Sequence, residues 1–101
     1  MFEQAPDIND QPLVITETWR TYVINNEIYL VCVMPDTGKV RTTTPVQISD
    51  PIKQEFVTES GRVYQCVGPM APNTLSFRMS LLLNGLIDDV NSFSGAPDSI
   101  H

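Results

Sequence analysis

The stretch Trp19-Arg20-Thr21-Tyr22-Val23-Ile24-Asn25-Asn26-Glu27-Ile28-Tyr29-Leu30-Val31-Cys32 decides the fold. β-Branched and aromatic side chains run up to Asn25-Asn26 and resume after it. Asparagine tolerates the positive φ that both central residues of a type I′ turn require. The two halves read as an antiparallel hairpin, one strand over 13–24 and the next over 27–34. A two-residue turn also sets the register: Ile24 faces Glu27, Val23 faces Ile28, Tyr22 faces Tyr29, Arg20 faces Val31 and Trp19 faces Cys32.

Outward from this hairpin, Pro35-Asp36-Thr37-Gly38 forms the next turn, and a third strand covers 39–48, with Pro45 marking an edge or bend. Pairing Pro35 with Lys39 places Met34 opposite Val40 and Val33 opposite Arg41. Two faces follow. Ile15, Trp19, Val23, Ile28, Leu30, Cys32, Met34 and Val40 are assigned to a core beneath a helix. Thr18, Arg20, Tyr22, Tyr29, Val31, Val33, Arg41 and Thr43 share the other face.

A second hairpin joins 52–58 to 62–67 around Glu59-Ser60-Gly61. A two-residue loop would pair Glu59 with Arg62. A loop bulged at Gly61 would pair Thr58 with Arg62 and set Phe56 beside Tyr64, a favourable aromatic pair, and is the preferred form. After Gly68-Pro69-Met70-Ala71-Pro72, Asn73 is a suitable N-cap for a helix over 74–84, with Leu75, Met79, Leu82, Leu83 and Leu86 on its apolar stripe and Gly85 as its C-cap. The expected fold is α+β: about five antiparallel strands in a meander of hairpins, as an open sheet or small barrel, packed against one C-terminal helix. Residues 13–87 form the single domain, between flexible acidic arms at 1–12 and 88–101.

Charge follows the same division. Glu3, Asp7 and Asp10 precede the domain and Asp88, Asp89 and Asp98 follow it, while the six acids and six bases between cancel. The net charge of −6 belongs to the ends. Six dispersed bases are a poor platform for neutralising phosphates, so direct nucleic-acid binding is not expected. No apolar run approaches a membrane span, and the start lacks the basic and apolar regions of a secretory signal, so a cytoplasmic protein is expected. Cys32 and Cys66 lie in apolar strand-like runs as two buried thiols or as a cross-strand disulfide.

Catalysis is not expected either. The one histidine is the last residue, His101, so a Ser-His or Cys-His pair is not held rigidly by this chain. Two cysteines without clustered histidines fall short of a zinc site, and no glycine-rich phosphate loop is present. No metal or cofactor is therefore anticipated. The candidate site is a protein-binding face made of Arg20, Tyr22, Tyr29, Val31 and Arg41, since tyrosine and arginine combine apolar area with directional donors. Either a partner covers that face or the second hairpin folds over it.

The segments Val40-Arg41-Thr42-Thr43-Thr44-Pro45-Val46, Val57-Thr58-Glu59-Ser60-Gly61-Arg62-Val63-Tyr64 and Gly68-Pro69 resemble small uncharacterised proteins of bacterial and phage-like mobile elements, over about a third of the chain. Such families have no established activity, and no functional residue carries over. The resemblance implies a bacterial or phage origin and a role through binding another macromolecule. The leading expectation is a protein-binding module, an inhibitor or accessory factor. Two others stand beside it: a structural subunit that homodimerises through the leucine helix or a sheet edge, and an acidic decoy of a nucleic-acid-binding protein.

Overall fold

In the computed structural model, which describes Phe2 and residues 5–92, the elements follow in the order β1 (Leu13–Thr16), β2 (Trp19–Ile24), β3 (Glu27–Val33), β4 (Val40–Thr42), β5 (Val46–Asp50), β6 (Glu55–Thr58), β7 (Val63–Cys66) and α1 (Leu75–Leu83). The seven strands make two sheets, β2-β3-β4 and β1-β7-β6-β5, antiparallel except where β1 runs parallel to β7. The architecture is α+β and the sheets do not close into a barrel.

There are more strands than expected because two continuous runs each break and change sheets. The run 13–24 crosses at Glu17-Thr18, where the Thr16 hydroxyl lies 2.8 Å from the Val33 carbonyl and 3.2 Å from that of Thr18. The run 39–48 crosses between Thr42 and Val46, where Pro45 withholds a ladder N–H. Strands that bend from one sheet into the other are the corners by which stacked sheets are joined.

The first hairpin has the register expected of it, from Trp19↔Cys32 to Ile24↔Glu27, with Asn25 and Asn26 at φ 53° and 66°. The second turn differs by one residue. Gly38 N–H donates to Met34 O and Met34 N–H to Lys39 O, both at 2.8 Å, so Met34 pairs with Lys39 and Val33, not Met34, faces Val40. Arg41 then lies opposite Cys32. A one-residue slip exchanges faces, so Val40 and Arg41 have traded sides. The β6–β7 hairpin takes the bulged form: Phe56 faces Tyr64, Thr58 N–H donates to Arg62 O, and Gly61 sits at φ 89°. Residues 51–54 are turn, not strand.

Two hydrophobic layers result. Between the sheets, Trp19, Leu30, Cys32 and Met34 meet Val14, Phe56, Tyr64 and Cys66. Trp19 and Phe56 touch across the layer with ring centroids 5.7 Å apart. This is the face expected beneath the helix. It is instead covered by the second sheet, while Ile15 and Val23, assigned to the same core, are exposed because the chain turns away at one corner and the hairpin tip runs past the sandwich. The helix covers the opposite face, where Phe77 and Leu81 pack on Tyr22, Val31 and Val40.

Helix α1 is capped by Thr74, whose hydroxyl accepts from Phe77 N–H, and not by Asn73. At its other end Gly85 (φ 72°) donates to Leu82 O and Leu86 N–H to Leu81 O, the paired bonds of a Schellman ending. Phe77, Ser80 and Leu81 face inward. Leu75 and Leu83, expected on the buried stripe, point outward because Phe77 and Leu81, one turn apart, fill the groove over the sheet.

The arms are partly docked. Arg62 Nε donates to Gln11 O at 2.6 Å and Nη2 to Pro6 O, Arg41 Nη1 donates to Gln11 Oε1 at 2.8 Å, and Val63 N–H bonds Pro12 O. Phe2 makes a bridge to Val40 and packs on the helix layer. On the C-terminal side, Leu86 and Ile87 join that layer and Arg78 Nε donates to Val90 O at 2.9 Å. The remainder of the expected tail, 93–101, lies outside the described residues.

Candidate functional site

Arg20, Tyr22, Val31 and Arg41 of the expected partner face are buried, with Val31 at 0% and Arg41 at 1% exposed. The cover is the chain's own helix and the segment leading into it, not the second hairpin. Arg20 Nη1 donates to Ala71 O at 3.0 Å and its guanidinium stands 5.6 Å from the centre of the Tyr22 ring. Tyr22 Oη donates to Asn73 Oδ1 at 2.6 Å. Residues chosen for their donors and apolar area do use both, but on the linker that delivers α1 to the sheet. Arg41 has left the group for the space between the sheets, where Nη1 also donates to Tyr64 Oη at 3.3 Å. Tyr29 stays half-buried, donating to Glu27 Oε2 at 3.0 Å. Burial, then this bond and the neighbouring Glu27 and Glu59 charges, push its phenol above the ordinary value.

The two cysteines are free thiols facing one core. Burial, with Cys32 adding to it, pushes the Cys66 thiol up to about 12. A thiol held that high keeps its proton at neutral pH and is a poor nucleophile.

Among the described residues the outer face of the four-stranded sheet stands open. Alternation turns Val14, Thr16, Phe56, Thr58, Tyr64 and Cys66 inward, so their neighbours point out. The register then lines up Leu13, Val63, Val57 and Ile48 in one row that crosses every strand of the sheet. A bulge between Val46 and Ile48 puts Ile48 into that row. Leu13 and Ile48 are 47% and 63% exposed. The adjoining row runs Ile15, Gln65, Glu55, Asp50. In it Gln65 Nε2 donates to Glu55 Oε2 at 3.0 Å, and Ile15 is exposed. One apolar row beside a row that carries Glu55 and Asp50 can dock an apolar ridge flanked by bases.

No family model matches the chain, and no curated protein or solved structure matches it either.

The open row was missed from sequence because each of its residues comes from a different strand. Leu13 reaches it through a parallel pairing between strands far apart in the chain, and Ile48 through a bulge. The one local signal was the alternation within 55–58 and 63–66, which places Val57 and Val63 opposite Phe56 and Tyr64 in facing. Among the described residues no helix is long and apolar enough to cross a membrane.

Proposed function

We propose that this chain is a non-enzymatic protein-binding module, an inhibitor or accessory factor that docks through the outer face of the β1-β7-β6-β5 sheet. The observation that carries this reading is the row Leu13, Val63, Val57, Ile48, continuous across the strands and open at both ends. Contiguous apolar surface of this kind on a small domain marks an interaction site. The partner is a different protein presenting an apolar ridge flanked by Lys and Arg, because the adjoining row carries Asp50 and Glu55 and no base. A net charge of −6 opposes association with a second copy. The protonated Cys66 thiol supports a binding role over a nucleophilic one. The resemblance of 40–46 and 57–64 to small mobile-element proteins points to the same kind of role and to a bacterial or phage source.

The test compares three folded proteins, the natural chain, Ile48→Asp and Leu83→Asp, by capture from native-host lysate and by mass in solution. One species held in stoichiometric amount by the natural chain and Leu83→Asp, and lost by Ile48→Asp, is the expected result. Capture that ignores Ile48→Asp would move the site off this face. A dimer dispersed by Ile48→Asp would give the face to a second copy.

A further inference from the structure

We infer that the chain binds a small oxyanion-bearing ligand, a phosphate or carboxylate, in the cavity between its N-terminal segment and the edge of the sandwich. The cavity holds about 390 Å³, and its lining includes Pro6, Thr44, Ser60, Arg62, Tyr64 and Asn84. It lies on the inner side of the β6–β7 hairpin, away from the open sheet face.

Arg62 is the decisive residue. Its side chain is 3% exposed, and its two hydrogen bonds, from Nε to Gln11 O and from Nη2 to Pro6 O, go to neutral carbonyls. Among the described residues no carboxylate pairs with it. A guanidinium carries five N–H donors, so its remaining donors, Nη1 included, are unspent. Burying a charge without an opposite charge is costly, and an anion in the adjoining cavity offsets that cost.

The neighbours are donors as well. Thr44 Oγ1 accepts from Ser60 N–H at 3.3 Å, which leaves its own hydroxyl proton for a ligand. Tyr64 Oη accepts from Arg41 Nη1 at 3.3 Å, which likewise leaves the phenolic proton free and orients it by a second guanidinium. Asn84 is already engaged, its Nδ2 donating to Ser80 O at 2.8 Å. Three unspent donor groups, one of them charged, converge on one cavity among the described residues, and a ligand rich in acceptors satisfies them together. Phosphate and carboxylate share that chemistry. Arginine meets either one through parallel N–H bonds.

The N-terminal segment is part of the site, since Arg62 holds the carbonyls of Pro6 and Gln11 while lining the cavity. Binding therefore tightens 5–12 against the sandwich.

The experiment titrates the full chain with inorganic phosphate and, separately, with acetate at constant ionic strength, following backbone amides and the arginine Nε–H by nuclear magnetic resonance. Saturable shifts centred on Thr44, Ser60 and Arg62 are expected with one of the two ions; whichever saturates names the ligand's acidic group. Thr44→Val and Tyr64→Phe, which keep side-chain shape and leave the Arg62 clamp in place, should each weaken binding about tenfold, the equivalent of one lost charge-assisted hydrogen bond. Absence of saturation with both ions overturns the inference. So does binding that both variants leave undiminished.

Discussion

The three-stranded sheet of this protein is covered on both faces, while the four-stranded sheet is covered on one. The first carries the other sheet on its Trp19/Leu30 side and the helix on its Tyr22/Val31 side, and its strands are correspondingly rich in buried residues, with Trp19, Arg20, Thr21, Tyr22 and Ile24 all buried along β2. The second shows strict alternation in β6 and β7, with Phe56, Thr58, Tyr64 and Cys66 inward and half-buried residues outward. Burial pattern thus separates a sheet whose two faces are both covered by the chain from one that keeps an exposed face among the described residues. Arg20, Tyr22 and Arg41 of the first sheet are buried, while Leu13 and Ile48 of the second stand exposed, the reverse of what residue type alone suggests.

The sharpest way to break that contrast is to truncate one aliphatic residue on each side of it. Leu81, fully buried on the inward face of α1, should cost about 2–5 kcal/mol when replaced by alanine, through lost transfer energy and the cavity left behind. Ile48→Ala removes similar bulk from a position that is 63% exposed and should stay within about 0.5 kcal/mol. Urea unfolding at constant m-value measures both. Equal losses would mean that the open face is packed in solution.

Much of the first sheet could be read in advance, and the reason is local. Asn25-Asn26 admits essentially one turn geometry, so every pair from Trp19–Cys32 to Ile24–Glu27 followed. The bulge at Gly61 was likewise legible because only it sets Phe56 beside Tyr64. The turn at 35–38 accommodates loops of different length with the same Gly38, and one residue of difference sent Arg41 into the core. The crossing at Glu17-Thr18 has one local marker, Glu17, a charge where the alternation of Ile15 and Trp19 calls for an inward apolar side chain. Only long-range pairing of β1 with β7 reveals that Ile15 faces outward. The helix orientation was obscured by surplus leucine: several stripes were apolar enough, and Phe77, outside the expected one, decided among them. The partner face failed for a related cause, because a sheet face rich in Tyr and Arg has the same composition whether a partner or the chain's own linker covers it.

The layer shared by the two sheets can be probed by pH. Cys66 holds its proton up to about 12 in the folded chain, against 9.0 for an ordinary thiol. Between those values the unfolded state binds fewer protons than the folded state, so stability falls as pH rises through this window. One such group contributes a slope of up to about 1.4 kcal/mol per pH unit. Unfolding free energies of the natural chain and Cys66→Ala from pH 8 upward should therefore diverge in slope, with the alanine variant the flatter (the pH range is set by the ordinary thiol value of 9.0). Parallel slopes would show that the thiol ionises as freely as in water and that the layer between the sheets is wet.

The smallest effect separates the two possible uses of the Arg20/Tyr22 side. Tyr22→Phe keeps the ring beneath α1 and deletes the hydroxyl that makes the 2.6 Å bond to Asn73. A bond of this kind is worth about 1 kcal/mol net, and Asn73 is the last residue before the Thr74 cap, so the loss should register both in the urea midpoint and as faster amide exchange in the first turn of α1. Tyr29→Phe, whose hydroxyl reaches Glu27 at the surface, should change neither. Were Tyr22→Phe instead neutral for stability while abolishing partner capture, the hydroxyl would be reaching a second protein and the helix would be a lid over the binding face. The expected pairing, reduced stability with capture intact, keeps recognition on the open sheet, because a latch that only holds the linker has no route to Leu13 or Ile48 on the far side of the sandwich.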